Sequence, residues 1–390
     1  MRLRSRQRPE PEPEPASEPG VGERSDSIPP PRARKRAWVR GLWTAAATLP
    51  LLTAVACATA LPSLPPSWRD VPHAPRIRAV QLDADDKVTT ALQPLRTSDV
   101  RVDNNRIVRG DHELTPAFKA IDSFDVSESR GEVAFSAKKD NGFDIGLVST
   151  DGSPISWVPA DPADEVAVQW APRGNKISYV VHSKGGDFVR TVHIPTSAQV
   201  MADFSGARVE ALGWDPKGEK FAVVYSTPDA SDRIEVMKYD GGDRKLATQP
   251  AVTLDVEVES IAPEAIVLRP RDMQYNEKLP LVVWLDDEPY AWNDARAELV
   301  RTARVAIVIA RRLTGQVRDA AKATPWIDAS RAFVVGANAP NATSIVGDAS
   351  VQAGNIRREG ATVAVAPELV QSFAAHFIAD QVKRTNGSSR

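Results

Sequence analysis

Val168-Gln169-Trp170-Ala171-Pro172-Arg173-Gly174-Asn175-Lys176-Ile177-Ser178-Tyr179-Val180 aligns without a gap on Leu212-Gly213-Trp214-Asp215-Pro216-Lys217-Gly218-Glu219-Lys220-Phe221-Ala222-Val223-Val224. The offset is 44 residues, and Trp, Pro, Gly and Lys all return in register. Another step of 44 upstream reaches Phe124–Phe135, where Val126 replaces the Trp and the Pro is lost. Each unit reads alike. A short strand ends at the Trp position, a Pro-x-Gly turn follows, and alternating apolar residues make a second strand. A glycine-bearing turn (Asn141-Gly142, Gly185-Gly186, Asp240-Gly241-Gly242) sits beside a third strand. Four short strands in about 44 residues describe a propeller blade. The competing reading is an antiparallel sandwich with two similar hairpins. Three units span about 115–250. Residues 76–113 are a candidate for one more without the signature, so 76–250 reads as an all-β, propeller-like repeat domain. So few blades suggest a reduced or open ring.

Upstream, the composition changes. Of the 31 Pro in the 390 residues, many fall in the first 72. Residues 1–40 combine the Pro-Glu run at 9–15 with the basic cluster Arg32, Arg34, Lys35, Arg36 and Arg40. A stretch with so little apolar surface is expected to stay disordered. Residues 41–64 carry no charge and are long enough to cross a hydrocarbon layer of about 30 Å. Their basic flank would hold the tail in the cytoplasm. Three fates are open: a retained single-pass anchor, a signal cut near Ala58-Thr59-Ala60, or a lipoprotein modified at Cys57. All three predict an extracytoplasmic, periplasmic or extracellular location for the folded part, reached through a spacer at 65–75.

Downstream, residues 251–390 read as strands alternating with helices, the pattern of a parallel α/β sheet. The strands are expected at 281–285, 305–310, 332–336 and 361–366. Helices are expected at 293–303, 315–323 and 341–355, with a closing helix over 368–383. The fold class expected for the whole chain is mixed and multidomain. It combines a disordered tail, one membrane segment, an all-β propeller-like domain and a truncated parallel-sheet α/β domain.

The charge balance of 49 basic against 51 acidic residues, net −2, excludes binding of nucleic acid by bulk charge. A single Cys excludes an internal disulfide and a cysteine-ligated zinc, and five scattered His argue against a His-rich metal site. No phosphate-binding glycine loop occurs between a strand and a helix, and no cofactor is expected. Asp286-Asp287-Glu288 could be written as a metal or acid pair, but adjacent acids at a strand end read more simply as a solvated loop.

Leu279–Pro289 (LPLVVWLDDEP) is similar to the segment of prolyl oligopeptidases that reads Pro, four apolar residues, then His-Gly-Gly-Pro. Trp326–Gly336 is similar to their approach to the nucleophile elbow, and Val363–Pro367 to the strand after it. With the repeats, the chain resembles the prolyl oligopeptidase-like family over about 115–370. The repeats also look like those of periplasmic translocation-system propellers. The resemblance implies a propeller followed by an α/β-hydrolase domain, with Trp170 and Trp214 packing between blades.

The chemistry departs from that pattern. Where an elbow reads Gly-x-Ser-x-Gly, this chain has Gly336-Ala337-Asn338-Ala339-Pro340. A carboxamide at Asn338 cannot be activated by an imidazole to attack a carbonyl. Pro340 alters the turn. Asp286 and Asp287 stand where His-Gly-Gly would aim N–H groups at an oxyanion, and two carboxylates there would repel it. The triad Asp and His would follow strands beyond Ala366, where 24 residues remain. Ser344, Asp348 and His376 can be written as a triad, but nothing makes Ser344 an elbow. The expected function is therefore a membrane-tethered interaction or scaffold protein, a pseudoenzyme with no catalytic residues and an unidentified protein or small-ligand partner. The alternatives are a serine hydrolase with an atypical site and a ligand carrier using the old crevice.

Overall fold

The computed structural model describes residues 72–390 except 91–98, 141, 160, 336–348, 353–354, 359–360, 365–374, 377, 381 and 384–390. The tail 1–40, the segment 41–64 with Cys57, and most of the spacer lie outside the described residues.

The period of 44 becomes three four-stranded antiparallel meanders. Blade 1 is Ile121–Ser127, Glu132–Lys138, Phe143–Ser149 and Ser156–Trp157. Blade 2 is Asp164–Trp170, Lys176–Ser183, Gly186–His193 and Ala198–Ser205. Blade 3 is Arg208–Trp214, Lys220–Thr227, Ala230–Lys238 and Lys245–Thr248. The turn after each Trp closes with the same bond, Gly174 N–H to Ala171 O (2.8 Å) and Gly218 N–H to Asp215 O (3.0 Å). Both glycines sit at φ near +68°, a conformation that disfavours any Cβ. Trp170 is buried among Ala134 and Ile145 of blade 1 and Ile177 and Val192 of blade 2. Trp214 is buried with Val189 and Phe204 of blade 2 and stacks edge-on against Phe221 at 5.4 Å. Both tryptophans therefore pack between blades.

Neighbouring blades are joined through side chains. The N–H groups of Ala167, Val168 and Trp170 donate to Asp122 (2.9 Å), Ser123 (3.0 Å) and Asp125 (2.8 Å) of blade 1. Val209 N–H in blade 3 donates to Asp187 of blade 2 at 2.8 Å.

The register continues upstream of blade 1. Ile77, three periods before Val209, donates its N–H to Asp232 of blade 3 at 2.7 Å. Asp83 Oδ1 accepts from Lys87 N–H at 2.8 Å, and three periods later Asp215 Oδ1 accepts from Glu219 N–H at 2.8 Å. Asp86 takes the positive φ (63°) that Gly218 takes in blade 3. Lys176 of blade 2 donates to Gly218 O (3.0 Å), and Lys220 of blade 3 pairs with Asp86. The stretch 76–113 thus takes the place of a further unit, in two pieces. Gln81–Leu82 and Val88–Thr89 pair together, and Val80 and Leu82 cover Ala211, Ala222 and Val224 of blade 3. Val100–Asp103, Arg106–Arg109 and His112–Glu113 form a separate sheet. From that piece, Val100 and Ile107 pack with Val126, Val133 and Phe135 of blade 1.

The C-terminal sheet corrects the expectation. Its strands are β1 (Val256–Ala262), β2 (Ala265–Pro270), β3 (Leu279–Leu285), β4 (Ala306–Ala310), β5 (Ile327–Val335), β6 (Ala349–Gln352), β7 (Asn355–Arg358) and β8 (Ala361–Ala364). The order is β1-β2-β4-β3-β5-β6-β7-β8. Only β3/β4, β3/β5 and β5/β6 run parallel; the other four pairings are antiparallel. The sheet is mixed, so 251–390 does not form the expected parallel α/β hydrolase-like domain, and the chain is mostly strand. Instead of a helix over 341–355 and one strand after it, β6, β7 and β8 form a meander. Gln352 pairs with Asn355 and Arg358 with Ala361, leaving two-residue connections that only antiparallel strands permit.

Among the described residues the helices are α1 (Asp294–Thr302), α2 (Gly315–Ala323) and helical residues within 375–383. Ala375, Ile378, Ala379 and Val382 join α1 on one face of the sheet, over Trp284 and Ile307. On the other face α2 covers Leu281, Val283 and Val308 with Val317 and Ala321. Among the described residues no helix is long and apolar enough to cross a membrane; the expected segment, 41–64, lies outside them.

Gly213 lies so close to the upstream strand that a Cβ would stand 2.0 Å from Val80 O. Gly213→Ala is expected to push residues 77–89 off blade 3 at a cost of about 1–3 kcal/mol. Limited proteolysis should then cut faster within 77–100. Gly185→Ala, where a Cβ meets nothing within 4 Å, should leave cleavage unchanged.

Candidate functional site

Crevices in sheets with parallel strands open at their carboxyl ends. Here β3 ends at Leu285, β4 at Ala310 and β5 at Val335. The residues after β5, including Gly336, Asn338 and Pro340, lie outside the described residues, as do Ser344 and Asp348. His376 sits half-buried in the closing helical stretch. What can be built is the loop after β3.

Asp286 continues the sheet by donating its N–H to Ala310 O at 3.0 Å. Its Oδ1 accepts from Glu288 N–H at 3.1 Å. Ala291 N–H donates to Glu288 O at 3.0 Å, and Trp292 N–H to Ser226 Oγ of blade 3 at 3.0 Å. Four backbone donors of the loop are therefore spent inside the protein. In an oxyanion hole such donors point at the place where charge develops. The side chains of Asp287 and Glu288 are exposed and that of Asp286 is half-buried.

The loop is organised by Arg296, a residue that sequence reading passed over. It sits in the first turn of α1, whose start is capped by Asn293 Oδ1 accepting from Arg296 N–H at 3.0 Å. Its guanidinium is almost wholly buried, 1% exposed, and donates to the carbonyls of Ala291 and Pro289 (3.5 Å for Pro289). Asp286 Oδ2 lies 3.8 Å away. Burial lowers the Arg296 pKa from its ordinary value, and Asp286 works against that shift. The signal was present: Arg296 shares a helix face with Leu299, Val300 and Ala303, where an apolar residue belongs.

The loop also meets the repeats. Arg208 of blade 3 donates to Glu288 at 2.6 Å and approaches Asp187 at 3.8 Å. Asp187 in turn stands 3.0 Å from His182 Nδ1. Glu210 of the same strand is pushed up in pKa, first by burial and then by Asp232 and Glu288, and pairs with Arg78 at 3.7 Å. Upstream, Arg76 donates to Trp292 O at 2.9 Å, and Ala74 N–H to Asp294 Oδ1 at 3.0 Å. Burial favours protonation of Asp294. Hydrogen bonds from Ala74, His73 and Trp292 outweigh it and hold the carboxyl below its usual range. The arrangement is a bound-up electrostatic junction. Among the described residues no group of three or more His, Cys, Asp or Glu could hold a metal ion.

No protein-family model matches the chain, and no curated protein matches it. Solved structures do. The acylaminoacyl peptidase of Pyrococcus horikoshii is 10% identical, with a TM-score of 0.46 over 57% of this chain and 41% of that one. Dipeptidyl peptidase 4 of Porphyromonas gingivalis is 12% identical, with a TM-score of 0.43 over 65% of this chain and 47% of that one. The chain spans less than half the length of either peptidase.

Arg296→Met should leave the Pro289 and Ala291 carbonyls without their buried donor and cost about 2–4 kcal/mol. Denaturant melts would read this as a lower midpoint. Arg296→Lys should recover only part of the loss, since an ammonium lacks the fork that reaches both carbonyls.

Proposed function

We propose that this chain acts by binding a protein partner and not by cleaving a bond: an interaction or scaffold protein of prolyl oligopeptidase-like type that works as a pseudoenzyme. The observation that carries the reading is the loop after β3. Its backbone N–H groups at Asp286, Glu288, Ala291 and Trp292 all have acceptors within the protein. Three carboxylates occupy the same loop, where a developing oxyanion would need positive potential. Asn338 at the elbow position supports the reading from the sequence, because a carboxamide offers no nucleophile. What remains is a surface rich in loops on rigid strands, the usual setting for recognition.

The test is chemical. A fluorophosphonate probe for activated serines should not label the purified full chain above the level of a heat-denatured control. Stoichiometric labelling that disappears on replacing one Ser would overturn the reading and make the chain a hydrolase. Affinity purification with wild-type chain, compared with an Arg208→Glu and Glu288→Ala double variant, would show whether the junction shapes the partner surface.

A further inference from the structure

Blade 2 breaks the repeat at three buried positions. Glu165 occupies the place held by Ile77, Ile121 and Val209 in the other units. Tyr179 and Arg190 replace Phe135 and Gly146 of blade 1, and Val223 and Ile234 of blade 3. Tyr179 and Arg190 are cross-strand partners in blade 2, and Glu165 pairs with Val181 on the neighbouring strand. Glu165 and Tyr179 are fully buried and Arg190 is 9% exposed. Replacing a buried apolar group by a charged one commonly costs stability. A trio kept at that cost calls for a role.

The groups facing Glu165 are few. From blade 2 come Asp161, Tyr179 and Arg190. Asp161 N–H donates to Glu165 Oε1 at 3.2 Å, and Arg190 Nη1 stands 3.8 Å from the same oxygen. The other Arg190 nitrogen pairs with Asp161. From blade 1 come the Ile145 N–H, which donates to Glu165 Oε2 at 3.3 Å, and Ser136 Oγ, which donates to Glu165 O at 2.5 Å. One guanidinium therefore serves two carboxylates and is already engaged by Asp161. With Glu165 neutral the seam carries no net charge. With Glu165 ionised it carries one buried negative charge without its own counter-ion.

We infer that Glu165 is a proton-operated latch on the seam between blades 1 and 2, closed when its carboxyl is protonated and loosened when it ionises. Burial pushes the Glu165 pKa from 4.5 up to about 7; the Asp161 and Ile145 N–H groups and Arg190 pull it back, and the Asp161 carboxylate adds to the rise. Burial likewise raises the Tyr179 phenol, which stays neutral throughout. The sign follows. The folded chain holds this proton more tightly than the unfolded one. The contribution to stability is full below about pH 4.5 and is lost as pH rises through about 7. The latch thus operates across neutral pH.

The test compares the full chain with Glu165→Gln and Asp161→Asn by thermal melts and amide exchange between pH 5 and 8. In the wild type, protection at the Ile145 and Val158 amides, corrected for intrinsic exchange, should drop by about tenfold or more across that range. Glu165→Gln should flatten the drop and the associated fall in Tm. Asp161→Asn frees Arg190 for Glu165 and should move the midpoint to lower pH. A Glu165→Gln chain that keeps the wild-type pH dependence would overturn the latch, and so would an unmoved midpoint in Asp161→Asn. If Glu165→Gln fails to fold, the Asp161→Asn midpoint alone decides.

Discussion

The first strand of each repeat unit cannot extend the sheet of the unit before it, so its N–H groups need acceptors from elsewhere. Side chains of the neighbouring unit supply them: Asp122, Ser123 and Asp125 for blade 2, Asp187 for blade 3, and Asp232 of blade 3 for the Ile77 N–H. A buried N–H without a partner would cost as much as a lost hydrogen bond, so these acceptors set the angle and register at which units meet. Around them the tryptophans, Phe204 and the valines fill the seams. The apolar contacts provide most of the energy and the acidic side chains provide the register.

The same residue class ties the repeats to the C-terminal sheet. Arg208 reaches from blade 3 to Glu288, Arg76 reaches from the irregular stretch upstream to Trp292 O, and Asp294 gathers Ala74, His73 and Trp292. Arg296 then folds the loop between β3 and α1 over its own carbonyls. A loop held this way spends the N–H groups of Asp286, Glu288, Ala291 and Trp292 inside the protein. An oxyanion hole needs such donors free to point at a developing charge.

The period of 44 was legible because it needs only local pattern: strand, turn glycine, strand; the packing of Trp170 and Trp214 came from the resemblance. The unit at 76–113 was harder to read because Asp83 and Asp86 do there what Asp215 and Gly218 do in blade 3. A side-chain acceptor and a tolerated positive φ can replace a signature residue. The mixed C-terminal sheet was misread because Val, Ile and Ala runs look the same in parallel and antiparallel strands. Of the candidate site, Asp286 and Asp287 were legible as acids at a strand end. Arg296 was not, because a charged residue on an apolar helix face reads as an interruption until its acceptors are known.

By itself the sequence determined the period of the repeats, their strand–turn–strand rhythm and which turns carry glycine. These follow from side-chain chemistry and a period of two along a strand. Only the tertiary structure decided that Val80 and Leu82 pack on blade 3 while Val100, Ile107 and Leu114 pack on blade 1. It also decided that the last strands turn back antiparallel, and that Glu165 shares one guanidinium with Asp161. Each of these depends on which distant groups meet, and pairing over long chain separations is not encoded in any local pattern.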